Sequence, residues 1–403
     1  MINIAILGFG VVGSGTAEVL TQNKAIIEKR VGQPVNIKYI LDLRDFPDSP
    51  FADLVIHDFN VIANDPEVSV VAEMMGGSHP AYDFTLACLK AGKSVVTSNK
   101  EVVANFGTEL LAVARENGAS YLFEASVGGG IPIIRPLRED LASNNVRAVS
   151  GILNGTTNYI LTRMDTEGAS FDDVLKDAQR LGYAEANPAA DVEGLDAARK
   201  TVILAAMAFG KRIDPNTILC EGITKITSAD SELAKEMGYA IKLIGHTALV
   251  DGKIMAMVSP RLVPLYNPLH GINGVFNGVL VSADMVGEVM FYGPGAGKLP
   301  TASAVAGDLI DIMAHTPAGI ISPVWTDAEP ADIADPETYV CRHLVVLDAP
   351  ESAEADVASH FALNAVHHTA GRFSFITEEL SEAEVKAKIE AVGYPLVTRI
   401  RVL

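Results

Sequence analysis

The stretch RLGYAEANPAADVEGLDAARK places several carboxylates and a lysine just before an apolar, helix-like segment. A helix beginning near Asp191 would put Asp196 and Lys200 at positions i and i+4, on one face. Oxidation of an alcohol needs a group that takes the hydroxyl proton while a cofactor takes the hydride, and a partly buried lysine suits that role. Glu185 and Asp196 would then hold the ammonium of an amino-acid substrate. The pattern also fits a surface ion pair, and Asp196 would raise the lysine pKa, so the protonation state stays open.

Three glycines near the N-terminus, Gly8, Gly10 and Gly13, form the pattern GxGxxG directly after the apolar run INIAIL. In a dinucleotide-binding loop the first glycine permits the tight turn, the second lets the backbone approach a pyrophosphate, and the third allows close helix packing. Ordinary turn glycines can produce the bare pattern, but the position between a strand and a helix favours a dinucleotide site. The residues between the glycines would add cofactor contacts: Phe9, Val11 and Val12.

Charged residues follow two further strand-like runs, at the sheet edge where ligands of open α/β sheets bind. After VNIKYIL, Asp42 favours NAD because a carboxylate can accept a hydrogen bond from the ribose 2′-hydroxyl, whereas Arg44 favours the 2′-phosphate of NADP. The choice between NAD and NADP therefore stays open. Lys100 follows SVVTSN and would reach cofactor or substrate, although a lone lysine in this position is more often a solvated charge.

The elements that must position these residues indicate an α/β protein of several domains. Alternating apolar and helix-like segments predict a Rossmann-type parallel sheet over residues 1–130, with one helix running through Glu18 and Ile27. Residues 131–318 mix helical and strand patterns and indicate an α+β substrate and assembly domain. The proline- and acid-rich piece over 319–336 indicates an interdomain linker.

The tail, residues 337–403, has the order strand, helix, strand, strand, helix, strand, which is typical of a ferredoxin-like fold. Ser381 and Glu384 have the spacing of a capping box and mark the start of its second helix. We therefore expect a third, C-terminal domain with a ferredoxin-like sheet.

Composition disfavours several kinds of partner. The net charge of −19 and the lack of clustered Lys and Arg argue against nucleic acid. No apolar run approaches the roughly 20 residues of a membrane span, and no secretory signal precedes the first strand, so a cytoplasmic location without a membrane partner is expected. The three scattered cysteines argue against a disulfide framework.

Six segments, in order, resemble homoserine dehydrogenases over almost the whole chain: GFGVVGSG, SNKE, FEASVGGGIPII, GILNGTTNYIL, GYAEANPAADVEGLDAARK and GPGAGKLPTASAVAGDL. The resemblance implies reversible hydride transfer between L-homoserine and NAD(P), giving L-aspartate 4-semialdehyde, in the biosynthesis of threonine, methionine and isoleucine. It also implies that the middle domain is the catalytic and dimerisation domain, and that residues from about 297 to 318 return to complete the Rossmann domain.

The same resemblance assigns site residues. It implies that Lys200 is the proton donor in aldehyde reduction, with Lys100 close to the reaction centre. Homoserine would contact Gly182, Glu185 and Asp196, supported by Asp191. Cofactor contacts carry over to Phe9, Val11, Val12, Gly76, Lys100 and Gly297. A monovalent cation, Na⁺ or K⁺, is expected in a glycine-rich hinge that would otherwise be a simple flexible turn, held by the backbone carbonyls of Glu124, Val127, Gly129 and Ile131.

The family resemblance also concerns assembly and regulation. Its members typically form dimers through the middle domain, so a homodimer or homotetramer is expected, and bacterial members often carry a C-terminal ACT domain for amino-acid feedback. The tail has the matching element order and is expected to be ACT-like, with threonine as the effector. Glu351 and Ser352, however, stand where ACT domains usually place the glycine that begins the ligand loop, which puts threonine inhibition in doubt.

Two other functions compete with this interpretation. An aspartate dehydrogenase or a dihydrodipicolinate reductase would share the glycine loop, but GILNGTTNYIL and GYAEANP discriminate against both. A catalytically inactive amino-acid sensor would not need Lys100, Glu185, Asp196 and Lys200 together. Homoserine dehydrogenase is therefore the predicted activity.

Overall fold

The computed structural model describes residues 1–315, 322–369 and 371–403. Its N-terminal strands are β1 (Ile2–Leu7), β2 (Val35–Leu41), β3 (Val55–Ile56), β4 (Val68–Glu73), β5 (Ser94–Thr97) and β6 (Tyr121–Leu122). The helices between them are α1 (Val11–Gln22), α2 (Lys24–Val31), α3 (Phe59–Asn64), α4 (Ala81–Lys90) and α5 (Lys100–Glu116). All strand pairs are parallel, in the order β3-β2-β1-β4-β5-β6, which is that of a dinucleotide-binding Rossmann sheet. The predicted Rossmann-type sheet is confirmed.

The single helix predicted through Glu18 and Ile27 is wrong in detail, because the chain forms two helices there. Asn23 ends α1 and precedes α2, with a non-helical backbone at φ −99° and ψ 17°. Asparagine favours such breaks because its short amide side chain competes for backbone hydrogen bonds. The apolar pattern continues across the break and conceals it.

The middle part contains a second sheet and most of the remaining helices. Its helices are α6 (Ile134–Arg138), α7 (Gly155–Glu167), α8 (Phe171–Arg180), α9 (Ala189–Val192), α10 (Leu195–Phe209), α11 (Ser228–Glu236) and α12 (Lys298–Ala314). Its strands are β7 (Val146–Ile152), β8 (Lys211–Arg212), β9 (Leu219–Cys220), β10 (Tyr239–Val250), β11 (Lys253–Pro264), β12 (Phe276–Ala283) and β13 (Gly287–Pro294). Five of these strands pair antiparallel in the order β13-β12-β7-β10-β11.

Helix α10 packs against this antiparallel sheet. A Cβ on Gly245 of β10 would lie 2.2 Å from Thr201 Oγ1, so glycine lets the helix approach the strand closely. The helix begins at Leu195 rather than near Asp191, because Gly194 adopts a left-handed conformation at φ +85° and separates α9 from α10. Asp196 and Lys200 nevertheless share one helix.

Helix α12 leaves the middle part and packs back on the N-terminal sheet. Val305 and Leu309 are fully buried in one cluster with Ile4 and Ile6 of β1. Residues 316–318 of the predicted return lie outside the described residues. In the described part of the chain, no helix is both long and apolar enough to cross a membrane.

The predicted linker contacts the rest of the protein at several points between residues 322 and 336, and Trp325 and Ala334 are its buried residues in that range; residues 319–321 lie outside the described part. Trp325 is 5% exposed, and its ring contacts that of Phe123 at a centroid distance of 5.3 Å. The next two residues form the short strand β14 (Thr326–Asp327), which pairs with β8.

The C-terminal part has the predicted alternation of strands and helices. Its elements are β15 (Val340–Cys341), β16 (His343–Asp348), α13 (Glu354–His360), β17 (Asn364–Thr369), β18 (Arg372–Ile376), β19 (Leu380–Ser381), α14 (Glu382–Val392) and β20 (Leu396–Val402). The main strands lie in the order β20-β16-β18-β17. The Ser381 and Glu384 capping box is present at the start of α14.

The C-terminal sheet is continuous with that of the middle part, which the sequence did not predict. Strand β20 pairs with β11 in parallel, with Arg401 opposite Arg261. Arg401 is 3% exposed and forms ion pairs of 2.6 Å with both Glu382 and Glu221. Because Glu221 lies in the middle part, the buried guanidinium joins the two parts.

Candidate active site

The GxGxxG loop has the geometry that a dinucleotide requires. Gly8 has a φ of +88°, and a Cβ there would lie 2.9 Å from the Met74 carbonyl oxygen. A Cβ on Gly13 would lie 2.0 Å from the Gly8 carbonyl oxygen, so α1 packs on β1 only with glycine at this position. Gly10 caps the N-terminus of α1 and has no described atom within 4 Å of an added Cβ, which leaves room for a pyrophosphate.

A cleft of about 490 Å³ lies beside this loop, along the carboxyl ends of β1, β2 and β4. The structure brings four of the predicted cofactor residues to it: Gly8, Gly10, Arg44 and Gly76. Phe9 and Val12 instead pack their side chains into the N-terminal core, while Val11 is 67% exposed at the start of α1. Gly297, at φ +119°, precedes α12.

Asp42 and Arg44 form an ion pair at the end of β2. Arg44 donates from Nε to Asp42 Oδ1 and from Nη2 to Oδ2, each at 3.0 Å, and the Phe9 N–H donates to Oδ2 at 2.8 Å. The Arg44 side chain, together with the backbone N–H groups of Phe9 and Arg44, lowers the pKa of Asp42 to about 2. The carboxyl group is therefore ionised at neutral pH. An acidic and a basic group therefore share the position at which a ribose 2′-group binds in Rossmann folds.

Lys200 lies inside the protein, on α10. It is 8% exposed, and its Nζ donates to Asp196 Oδ2 at 2.8 Å and to the Leu153 carbonyl oxygen at 2.7 Å. Burial lowers the pKa of Lys200 from its ordinary value, although Asp196 works against this effect. The predicted i,i+4 pair is thus a buried pair, and the alternative of a surface ion pair does not apply.

Asp196 forms an ion pair that connects the middle part to the Rossmann part. Lys100, the first residue of α5, reaches Asp196 Oδ1 at 3.0 Å from the Rossmann side. Asn154 Nδ2 donates to Asp196 Oδ2 at 3.0 Å and to Asp191 Oδ1 at 2.7 Å. Burial would raise the pKa of Asp196, but Lys200 and Lys100 outweigh it and hold the pKa well below its usual range. The cluster is therefore an ionised carboxylate between two lysines.

The remaining predicted substrate residues shortly precede Asp196 in the sequence but differ in exposure. Asp191, on α9, is partly buried, and burial raises its pKa. Gly182 and Glu185 lie in the exposed loop between α8 and α9, with Gly182 at φ +78°. The loop therefore offers an exposed carboxylate that shortly precedes the buried cluster in the sequence.

The predicted hinge is a buried and tightly packed piece of backbone. A Cβ on Gly129 would lie 2.3 Å from the Gly295 carbonyl oxygen, and Val127 and Ile131 are each 1% exposed. Carbonyl oxygens in such a region are the donors that replace the hydration shell of a monovalent cation. The Glu124 carboxylate has another function, because it accepts the backbone N–H groups of Ile133, Ile134 and Arg135.

Asn154 is a site residue that sequence reasoning did not single out. Its amide caps α7, where Oδ1 accepts the Thr157 N–H at 2.9 Å, and it contacts both aspartates of the cluster. The available signal was an asparagine just before a helix, in the segment GILNGTTNYIL.

A Rossmann sheet with a dinucleotide loop, joined to a buried lysine and carboxylate, defines an NAD(P)-dependent dehydrogenase. Two family sequence models match the chain: homoserine dehydrogenase, NAD binding domain, over residues 8–124, and homoserine dehydrogenase over residues 132–310. The homoserine dehydrogenase of Bacillus subtilis (strain 168) is 44% identical over 324 residues, 79% of this chain and 74% of that relative. The chain belongs to the homoserine dehydrogenase family, as the sequence motifs predicted.

Solved structures support the same family over the entire chain. A homoserine dehydrogenase from Thiobacillus denitrificans has a TM-score of 0.91 at 36% identity, covering 100% of this chain and 98% of that one. A hyperthermophilic archaeal homoserine dehydrogenase mutant in complex with NADPH has a TM-score of 0.68 at 30% identity, covering 78% and 98%. The protein is accordingly an NAD(P)-dependent oxidoreductase with a small-molecule substrate.

Proposed function

We propose that Lys200 moves the proton in the reversible oxidation of L-homoserine to L-aspartate 4-semialdehyde. The observation that carries this role is the burial of its ammonium between the Leu153 carbonyl oxygen and Asp196. In the oxidation direction neutral Lys200 takes the hydroxyl proton, and in the reduction direction its protonated form returns it. NAD(P), when bound, supplies the hydride acceptor or donor. Lys100 and Asp196 hold the two sides of the site together.

The substrate ammonium would bind at the carboxylates beside this lysine. Glu185 is exposed, and its carboxylate forms no ion pair with any described residue. A cation can therefore reach it without first displacing another. Asn154 donates to both Asp191 and Asp196, so Asp191 would support Asp196 through that amide, and Gly182 gives the loop its turn. The substrate would then present its hydroxyl to Lys200.

We further propose that the enzyme accepts both cofactors, with Asp42 favouring NAD and Arg44 favouring NADP. Arg44→Ala is expected to lower kcat/KM for NADP about 10- to 100-fold, because a charge-assisted contact to the 2′-phosphate is lost. The same substitution should change kcat/KM for NAD much less. Asp42→Asn should shift the preference toward NADP, because it removes the negative charge beside the phosphate. Steady-state rates with each cofactor test both effects. Equal changes for the two cofactors would contradict the assignment.

A monovalent cation is proposed for the hinge, coordinated by the carbonyl oxygens of Glu124, Val127, Gly129 and Ile131. The dense, buried backbone at Gly129 supports this location. Because these donors are neutral backbone oxygens that carry neither proton nor hydride, we assign the ion a structural role.

The C-terminal part is proposed to be an ACT-like module that serves assembly of a cytoplasmic homodimer or homotetramer. Residues Glu351–Ala353 form a 3₁₀ turn at the position of the usual ligand loop, and a side chain there obstructs the close backbone approach that glycine permits. We therefore expect no threonine inhibition.

One assay tests the proposed function, the proposed cation and the expected absence of threonine inhibition. The purified protein is expected to reduce NAD or NADP with L-homoserine but not with L-aspartate, which separates it from an aspartate dehydrogenase. Turnover should be several-fold higher in NaCl or KCl than in tetramethylammonium chloride of equal ionic strength, and threonine should leave it unchanged. No turnover of homoserine with either cofactor in any salt would refute the function.

A further inference from the structure

Glu73 is a buried carboxylate that the reaction described above does not use. It ends β4, beside the residues Met74–Gly76 of the cofactor cleft, and its exposed fraction is 0%. Burial raises its pKa to about 7. Ionising a carboxyl group at this depth is costly unless its oxygens are fully hydrogen-bonded.

Both carboxylate oxygens of Glu73 accept hydrogen bonds, one from the loop after β4 and one from the last residue of β5. The Met75 N–H donates to Oε1 at 2.7 Å, and the Thr97 hydroxyl donates to Oε2 at 2.5 Å. Thr97 Oγ1 in turn accepts the Asn99 N–H at 2.9 Å. Glu73 therefore joins the loop after β4 to the loop after β5.

Asn99 carries this connection to the start of α5. Its Oδ1 accepts the N–H groups of Glu101 and Val102, each at 3.2 Å, and its Nδ2 donates to the Gly77 carbonyl oxygen at 2.8 Å. The residue after Asn99 is Lys100, whose ammonium reaches Asp196. A hydrogen-bonded path thus runs from the buried carboxylate to the first turn of the helix that presents Lys100.

We infer that Glu73 is a positioning residue, which fixes the Met75–Gly77 loop and the start of α5 so that Lys100 meets Asp196. The inference rests on the proposed roles of Lys100 and Asp196. It extends the site by a group that touches neither substrate nor lysine.

Above its pKa of about 7, the ionised carboxylate of Glu73 suits this position, because the Met75 N–H and the Thr97 hydroxyl are both donors. Glutamine has the same shape but offers one acceptor and one donor. In Glu73→Gln, one of the two contacts therefore places a donor against the Met75 N–H or leaves the Thr97 hydroxyl hydrogen without its acceptor. The substitution disturbs the loops without changing the volume of the core.

Glu73→Gln is expected to lower kcat for homoserine oxidation about 10-fold or more and to weaken NADH binding several-fold, measured by fluorescence titration. Thr97→Val should give the same loss of kcat, whereas Thr97→Ser, which keeps the hydroxyl, should retain wild-type kcat. In a Lys100→Met background, Glu73→Gln should add less than about a threefold further loss, because Glu73 acts through Lys100.

Tyr121→Phe is the matched control. The Tyr121 hydroxyl is fully buried near Glu73 and has no hydrogen-bond partner among the described residues, so its removal should leave kcat unchanged. The inference is overturned if Glu73→Gln keeps kcat within about twofold, or if its effect is undiminished beside Lys100→Met. If Glu73→Gln does not fold, equal rates for Thr97→Ser and Thr97→Val overturn it. Wild-type protein inactive on homoserine would refute the proposed function instead, and NADH binding would still decide the role of Glu73.

Discussion

Lys200→Met is expected to lower kcat for homoserine oxidation about 10³-fold while leaving NAD(P) affinity within about twofold. The variant keeps most of the side-chain volume but has no group that can take the hydroxyl proton.

In the wild-type enzyme, the rate of homoserine oxidation should rise with pH as Lys200 loses its proton. This rise should occur at a pH below the 10.5 of an ordinary lysine, because burial lowers the pKa of Lys200. Reduction of the aldehyde should fall over the same range, since it needs the protonated form.

Lys242→Met provides the matched control for the Lys200 variant. Lys242 is also a buried lysine, at 2% exposure, and also donates to a backbone carbonyl oxygen, that of Ile272 at 2.6 Å. It lies on β10 and contacts none of the cluster residues among the described contacts. Its loss should reduce thermal stability but leave kcat close to wild type. Comparable loss of turnover in both variants, or none in Lys200→Met, would show that Lys200 is not the proton carrier.

Local sequence patterns predicted the parts of this molecule that depend on neighbouring residues. Gly8, Gly10 and Gly13 were identifiable because each glycine has its own steric reason within one strand-turn-helix unit. The pairing of Asp196 with Lys200 followed from helical periodicity alone. The fold class, with its parallel sheet and mixed domain, followed from the alternation of apolar and helical segments.

Contacts between distant segments were beyond such patterns. Strand β20 pairs with β11 across about 140 residues of sequence, and no single-sequence signal gives that register. Asn154 and Glu73 look like an ordinary helix cap and an ordinary strand end, and only the folded chain shows what each contacts. The break between α9 and α10 depends on one glycine conformation that an apolar pattern does not reveal.

Asp196→Asn is expected to lower kcat/KM for homoserine about 10²- to 10³-fold and to shift the pH profile of oxidation to lower pH. Asp196 is the shared counter-charge of Lys100 and Lys200, each at 3.0 Å or less. Without its negative charge, two buried or half-buried ammonium groups face each other, and Lys200 sheds its proton more readily because Asp196 no longer raises its pKa. At neutral pH, reduction of the aldehyde should then suffer more than oxidation, because the proton donor is already neutral.

The pH shift separates this charge effect from general loss of stability. Asp230→Asn is the control, because Asp230 is also a 6%-exposed aspartate but belongs to the capping box of α11. It should lower the thermal midpoint without moving the pH profile. Initial rates in both directions between about pH 6 and 10 distinguish the two outcomes. An unchanged pH profile in Asp196→Asn would mean that Asp196 does not influence the pKa of Lys200. The Asp196–Lys200 pair would then have only a packing role.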